Sequence, residues 1–138
     1  ALDWAQAQRY RDIDLWGSSY SAALVIKLGA ARPHVRAVLA FSPGEYLKRG
    51  LGGGDDVVTK AASVYPRFRG SPPVLVVAPP KERERTKSIV AALGRKGSAF
   101  YPAGGVHGAS TLVLNRCAVA STVWPMVKRF LRETRGRR

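Results

Sequence analysis

Two short segments hold residues able to do nucleophilic chemistry. The first is Leu15-Trp16-Gly17-Ser18-Ser19-Tyr20-Ser21-Ala22, and the second is Pro102-Ala103-Gly104-Gly105-Val106-His107-Gly108. A serine hydroxyl is a weak nucleophile until a neighbouring base takes its proton, so a serine matters only with an imidazole in reach. Ser19 has small residues two places before and after it, Gly17 and Ser21. That is G-x-S-x-S, close to the G-x-S-x-G of a strand–turn–helix bend that exposes a reactive serine. Anything bulkier in those two places would collide with the neighbouring backbone. The helix beginning at Tyr20 would aim its amino end at the site, and the Tyr20 N–H could donate to a developing oxyanion. A plainer reading is that Ser18 or Ser19 only caps that helix.

His107 is the candidate base, in a glycine-rich loop after the last expected strand. The other histidine, His34, sits beside Arg32 and Pro33 in a helix-ending turn and reads as exposed. An acid should orient the imidazole and stabilise its charged form. Glu82, three to four residues past Val76-Val77-Ala78, is the first choice; Glu84 and Glu45 are the alternatives. Glu82 also fits an ordinary acid in a helix's first turn.

The elements that must position these residues follow from composition and periodicity. Residues 1 to about 10 read as a helix end. Strands are expected at Ile13–Trp16, Val35–Phe41, Pro73–Ala78 and Ser98–Tyr101, the second apolar enough to lie inside a sheet and the third bounded by prolines on both sides. Helices are expected at Tyr20–Ala31, Val57–Tyr65, Glu82–Gly94 and Val119–Glu133, the first ended by Pro33. Gly50-Leu51-Gly52-Gly53-Gly54-Asp55-Asp56 reads as a loop near a site mouth, without the lysine and hydroxyl residue of a phosphate-binding loop. Alternating strands and helices with short connections predict an α/β fold, a parallel sheet flanked by helices.

Composition narrows the classes further. The 138 residues make one domain, spanning 1–138, and 46% apolar with 23% charged residues is globular. No run reaches the ~18 apolar residues of a membrane span. One cysteine, Cys117, rules out an intrachain disulfide and a multi-cysteine zinc site, and its apolar neighbours predict a buried thiol. The net charge of +14 favours non-specific attraction to nucleic acid. The arginines, however, are scattered (Arg9, Arg32, Arg49, Arg67, Arg95, Arg116), apart from a basic tail from Lys128 to Arg138, which argues against a nucleic-acid site. Lys81-Glu82-Arg83-Glu84-Arg85 alternates in sign and reads as a solvated helix start. The opening Ala1-Leu2-Asp3-Trp4-Ala5-Gln6 resembles the middle of an amphipathic helix, and the chain is expected to be a piece of a longer protein.

Gly17-Ser18-Ser19-Tyr20-Ser21, the strand end Ala40-Phe41-Ser42-Pro43 and Gly105-Val106-His107-Gly108 together resemble the α/β-hydrolase superfamily, closest to its dienelactone-hydrolase-like branch. The resemblance spans nearly the whole chain and matches the C-terminal half of that fold, with the chain order serine, acid, histidine. It implies a serine hydrolase that cleaves small-molecule carboxylic esters through an acyl-enzyme, with no metal or organic cofactor. Dienelactone hydrolases proper carry a cysteine nucleophile where this chain has Ser19. A second oxyanion donor is expected from a loop upstream of Ala1. The alternative from another class is a non-catalytic, hydrolase-like interaction module.

Overall fold

A computed structural model describes residues 2–32, 34–47 and 56–135. Strands β1 (Ile13–Ser18), β2 (Val35–Phe41), β3 (Val74–Val77) and β4 (Gly97–Phe100) form one sheet in the order β1-β2-β3-β4. Every pairing is parallel. Helices α1 (Leu2–Ala7), α2 (Tyr20–Ala31), α3 (Val57–Ala62), α4 (Arg83–Leu93) and α5 (Ala120–Arg135) surround it. The α/β expectation holds: the chain is a parallel sheet flanked by helices.

The strands read as strands because their residues alternate between two apolar layers, the period-2 consequence of the pleat. Val38 and Ala40 of β2 and Val74 and Val76 of β3 face a core completed by Ile26 of α2, Val58 of α3 and Ile89 and Leu93 of α4. Leu39, Phe41, Leu75 and Val77 face the opposite core, filled by Val123, Val127 and Phe130 of α5. Burial of β2 and β3 on both faces explains their near-continuous apolar sequence. Trp16 of β1 stacks on Phe41 at 5.2 Å between ring centroids and leans on Trp124 of α5. Tyr65, wholly buried, donates its hydroxyl to the Ile26 carbonyl at 2.7 Å, and burial pushes that hydroxyl well above its usual pKa.

Small differences from the expected boundaries have local causes. The helix expected to run from Val57 to Tyr65 stops at Ala62 and resumes as a 3-10 turn, Tyr65–Arg67, carrying Pro66. Pro80–Glu82 is likewise a 3-10 turn placed ahead of α4. The glycine-rich loop, apart from Asp56, lies outside the described residues, as do Pro33 and the last three residues of the basic tail. Among the described residues no helix is long and apolar enough to cross a membrane.

The four strands end in register. Ser18 lies beside Phe41, Phe41 beside Val77, and Val77 beside Phe100. The chain therefore leaves all four strands at one rim, the carboxyl rim where ligands settle on open parallel sheets.

Candidate active site

Ser19 occupies the bend between β1 and α2. Its backbone has φ 57° and ψ −118°, a region that side chains rarely adopt and that costs about 1–3 kcal/mol. The surrounding structure holds it there. Its N–H donates to the Phe41 carbonyl at 2.8 Å, and its own carbonyl accepts from the Ala22 N–H at 3.0 Å. Gly17 makes the bend possible: a Cβ there would lie 2.3 Å from the Ser21 carbonyl oxygen, a backbone clash that no rotamer relieves. Ser21, where the usual pattern has glycine, is used as well as tolerated. Its hydroxyl accepts the Ser18 N–H at 2.8 Å and donates to the Ser18 carbonyl at 2.9 Å, tying the strand end to the first turn of the helix.

Neither serine caps α2 with its side chain. Ser19 stands at the N-cap position but its hydroxyl makes no capping bond. It lies 2.9 Å from His107 Nε2. The Ser18 hydroxyl accepts the N–H of Ala109, just past His107, at 2.8 Å.

His107 Nδ1 in turn lies 2.7 Å from Glu82 Oε1. With Nδ1 protonated, the ring donates to the carboxylate and presents the lone pair of Nε2 to Ser19. Ser19, His107 and Glu82 thus meet as one relay, though 88 residues separate the serine from the histidine. The acid is inside and the base is reachable: the Glu82 side chain is 8% exposed and that of His107 44%. Burial by itself would push the Glu82 carboxyl up. The hydrogen bond from His107, the neighbouring Ser42 hydroxyl and the charges of His107 and Arg85 outweigh it and hold the carboxyl below its ordinary value. Burial also corrects the reading of the charged run as a wholly solvated helix start, because Glu82 alone in that run turns inward.

The alternative acids serve elsewhere. Glu45 accepts the backbone N–H groups of Val58 and Thr59, each at 2.8 Å, and the Thr59 hydroxyl at 2.6 Å, so its carboxylate closes the open end of α3. Glu84 points into solvent and pairs loosely with Lys87 at 3.7 Å. His34 is exposed, as expected. Tyr20 is the first residue of α2, whose leading N–H groups have no partner within the helix. Cys117 is buried.

No family model matches this chain, and neither a curated protein nor a solved structure matches it.

Ser42, in the strand end Ala40-Phe41-Ser42-Pro43, joins the site without having been a candidate by residue type and spacing. Ser42 is wholly buried, has φ 52°, and accepts the Gly108 N–H on its hydroxyl at 2.8 Å. A hydroxyl residue at the end of a buried apolar strand was the available signal. Among the described residues no three of His, Cys, Asp and Glu converge as a metal would require. A cavity of about 1010 Å³ opens at the other rim of the sheet, bordered by Arg9, Arg36, Arg69 and Arg95, remote from Ser19.

Proposed function

We propose that this chain carries the catalytic groups of an α/β-hydrolase-type serine hydrolase acting on carboxylic esters. The observation that supports the reading best is the unbroken relay from Ser19 through His107 to a buried Glu82, with contacts of 2.9 and 2.7 Å, built on a strained bend before a helix. Strain of that kind persists only where the surroundings over-determine it, and it gathers at active sites.

The chemistry follows from the geometry. His107 Nε2 takes the Ser19 proton as Oγ attacks the ester carbonyl, and the C–O π pair moves onto oxygen. The Tyr20 N–H, at the amino end of α2, stabilises that oxyanion; one such donor is worth about 100- to 1000-fold in turnover. Collapse expels the alkoxide, which takes the proton from His107 and leaves as the alcohol. Water then attacks the acyl-enzyme, His107 removing its proton and returning it to Ser19 Oγ as the acid departs. Throughout, Glu82 keeps the imidazole in the productive tautomer and stabilises its cationic form.

A labelled fluorophosphonate tests this directly, since it reacts only with an activated serine. The expected result is one covalent adduct on Ser19, absent in Ser19→Ala, together with hydrolysis of p-nitrophenyl acetate by the wild-type chain alone. A folded wild-type chain that takes no label would overturn the proposal in favour of a non-catalytic interaction module. Label on Ser18 would overturn the nucleophile assignment.

A further inference from the structure

The imidazole sits on a loop, and a loop holds an imidazole to a few tenths of an ångström only if something fixes its backbone. The two residues after His107 are fixed by side chains from two different strand ends. The Gly108 N–H donates to the Ser42 hydroxyl and the Ala109 N–H to the Ser18 hydroxyl, both at 2.8 Å. Gly108 can come this close because it lacks a side chain: at φ 68°, a Cβ would lie 2.5 Å from Ser18 Oγ. Ser42 has one further resource. Its oxygen is used in accepting from Gly108, which leaves its own proton to be donated within a wholly buried site. Buried hydroxyl protons almost always find an acceptor. Glu82 Oε2 is the only buried side-chain nitrogen or oxygen among the described residues without a hydrogen-bond partner.

Building on the relay proposed above, we infer that Ser42 is a positioning residue whose one hydroxyl ties the loop carrying the base to the carboxylate that orients it. Accepting from Gly108 sets the height of the imidazole above the rim, and donating toward Glu82 fixes the carboxylate facing it. The direction of the Glu82 shift, lowered in part by Ser42, agrees with a hydroxyl donating to the ionised acid. The left-handed backbone of Ser42 fits the same role. It turns the residue out of β2 while its N–H continues the ladder to the Val77 carbonyl at 2.7 Å, so the hydroxyl is carried on a rigid rung. Ser18 holds the next amide without touching the acid, and is the weaker of the two clamps.

The test compares Ser42→Ala, Ser42→Gly and Ser18→Ala with the wild-type chain. One readout is the low-field proton resonance of His107 Nδ1–H, which reports its hydrogen bond to Glu82 whether or not any substrate turns over. The other is p-nitrophenyl acetate kinetics. Both Ser42 variants are expected to keep cooperative thermal unfolding, to lose or broaden the resonance, and to lower kcat by about 10- to 100-fold with KM within about twofold. Ser18→Ala is expected to keep the resonance and lose less than about 10-fold. Ser42→Gly also relieves the positive φ, so it carries the test if the alanine variant folds poorly. A sharp, unshifted resonance in a folded Ser42 variant would sink the inference, and so would loss in the alanine but not the glycine variant, since packing rather than the hydroxyl would then be responsible. Failure of the fluorophosphonate to label the wild-type chain counts against the esterase reading alone, and leaves the resonance comparison to judge Ser42.

Discussion

The two rims of the sheet are built on opposite principles. At the carboxyl rim Ser19, His107 and Glu82 are bonded in a row, Ser42 and Ser18 hold the two amides after His107, and two of the three non-glycine residues with positive φ among the described residues, Ser19 and Ser42, stand there. At the amino rim a wide cavity is bordered by cations. Arg36 there is held bidentately by Asp14, and Lys96 donates to the carbonyls of Arg69 and Ser71. Arg9, Arg69 and Arg95 make no ion pair among the described residues. Mutually bonded polar groups lie at one end, volume and unspent charge at the other, where Arg9 is the third residue of positive φ. Cavity volume marks one rim and mutually satisfied polar groups mark the other; perturbed titratable groups and backbone strain are what gather at functional sites.

The sharpest way to break this contrast is Glu82→Gln. An amide cannot hold the imidazole in the same tautomer, and in serine triads such a change costs about 10⁴-fold in kcat. Kinetics on p-nitrophenyl acetate, with circular dichroism to confirm folding, would measure it. The same variant tests the linkage. Because folding lowers the Glu82 pKa, its stabilising contribution is fully present above the ordinary carboxylate range and is lost as pH falls through the folded value. Wild-type stability should therefore decline on the acid side more steeply than that of Glu82→Gln, as urea titrations between pH 6 and about pH 3 would reveal.

Next in size is Gly17→Ala. The clash with the Ser21 backbone should cost about 2–4 kcal/mol in denaturant unfolding, a large fraction of a small domain's stability. A smaller effect of opposite sign is expected from Ser19→Gly, which removes the nucleophile and the strain together. It should abolish turnover while raising stability by about 1 kcal/mol, visible as a higher Tm. Smallest is the change at the other rim. Arg69→Ala combined with Arg95→Ala should leave kcat/KM within about twofold and stability within about 0.5 kcal/mol. A large loss of ester turnover in that double variant would erase the functional distinction between the rims.

Much of the candidate site was legible from residue types and chain order. Gly17, Ser19 and Ser21 belong to a local bend, and local geometry can be read wherever sterics leave one option. His107 was legible because it follows the last strand of an alternating pattern. Glu82 was only preferred over Glu45 and Glu84, since a carboxylate's burial depends on what packs over it. Two carboxylates of one short charged run stand two positions apart, yet Glu82 turns inward and Glu84 into water. The clamp by Ser18 and Ser42 was illegible, because a hydroxyl's partner 66 or 91 residues away leaves no periodic trace.

By itself, the amino-acid sequence determined the alternation of strands and helices, the interior position of β2, and the sharp bend at Ser19. Each follows from the side chain's own volume, polarity and backbone preference. The tertiary structure alone decided which acid meets the histidine, and it gathered arginines that are scattered along the chain. The physical reason is one of topology. In a parallel sheet every strand starts at one rim and ends at the other, so residues ahead of the strands (Arg9, Arg69, Arg95) converge at one end while those after them (Ser19, Ser42, Glu82, His107) converge at the opposite end.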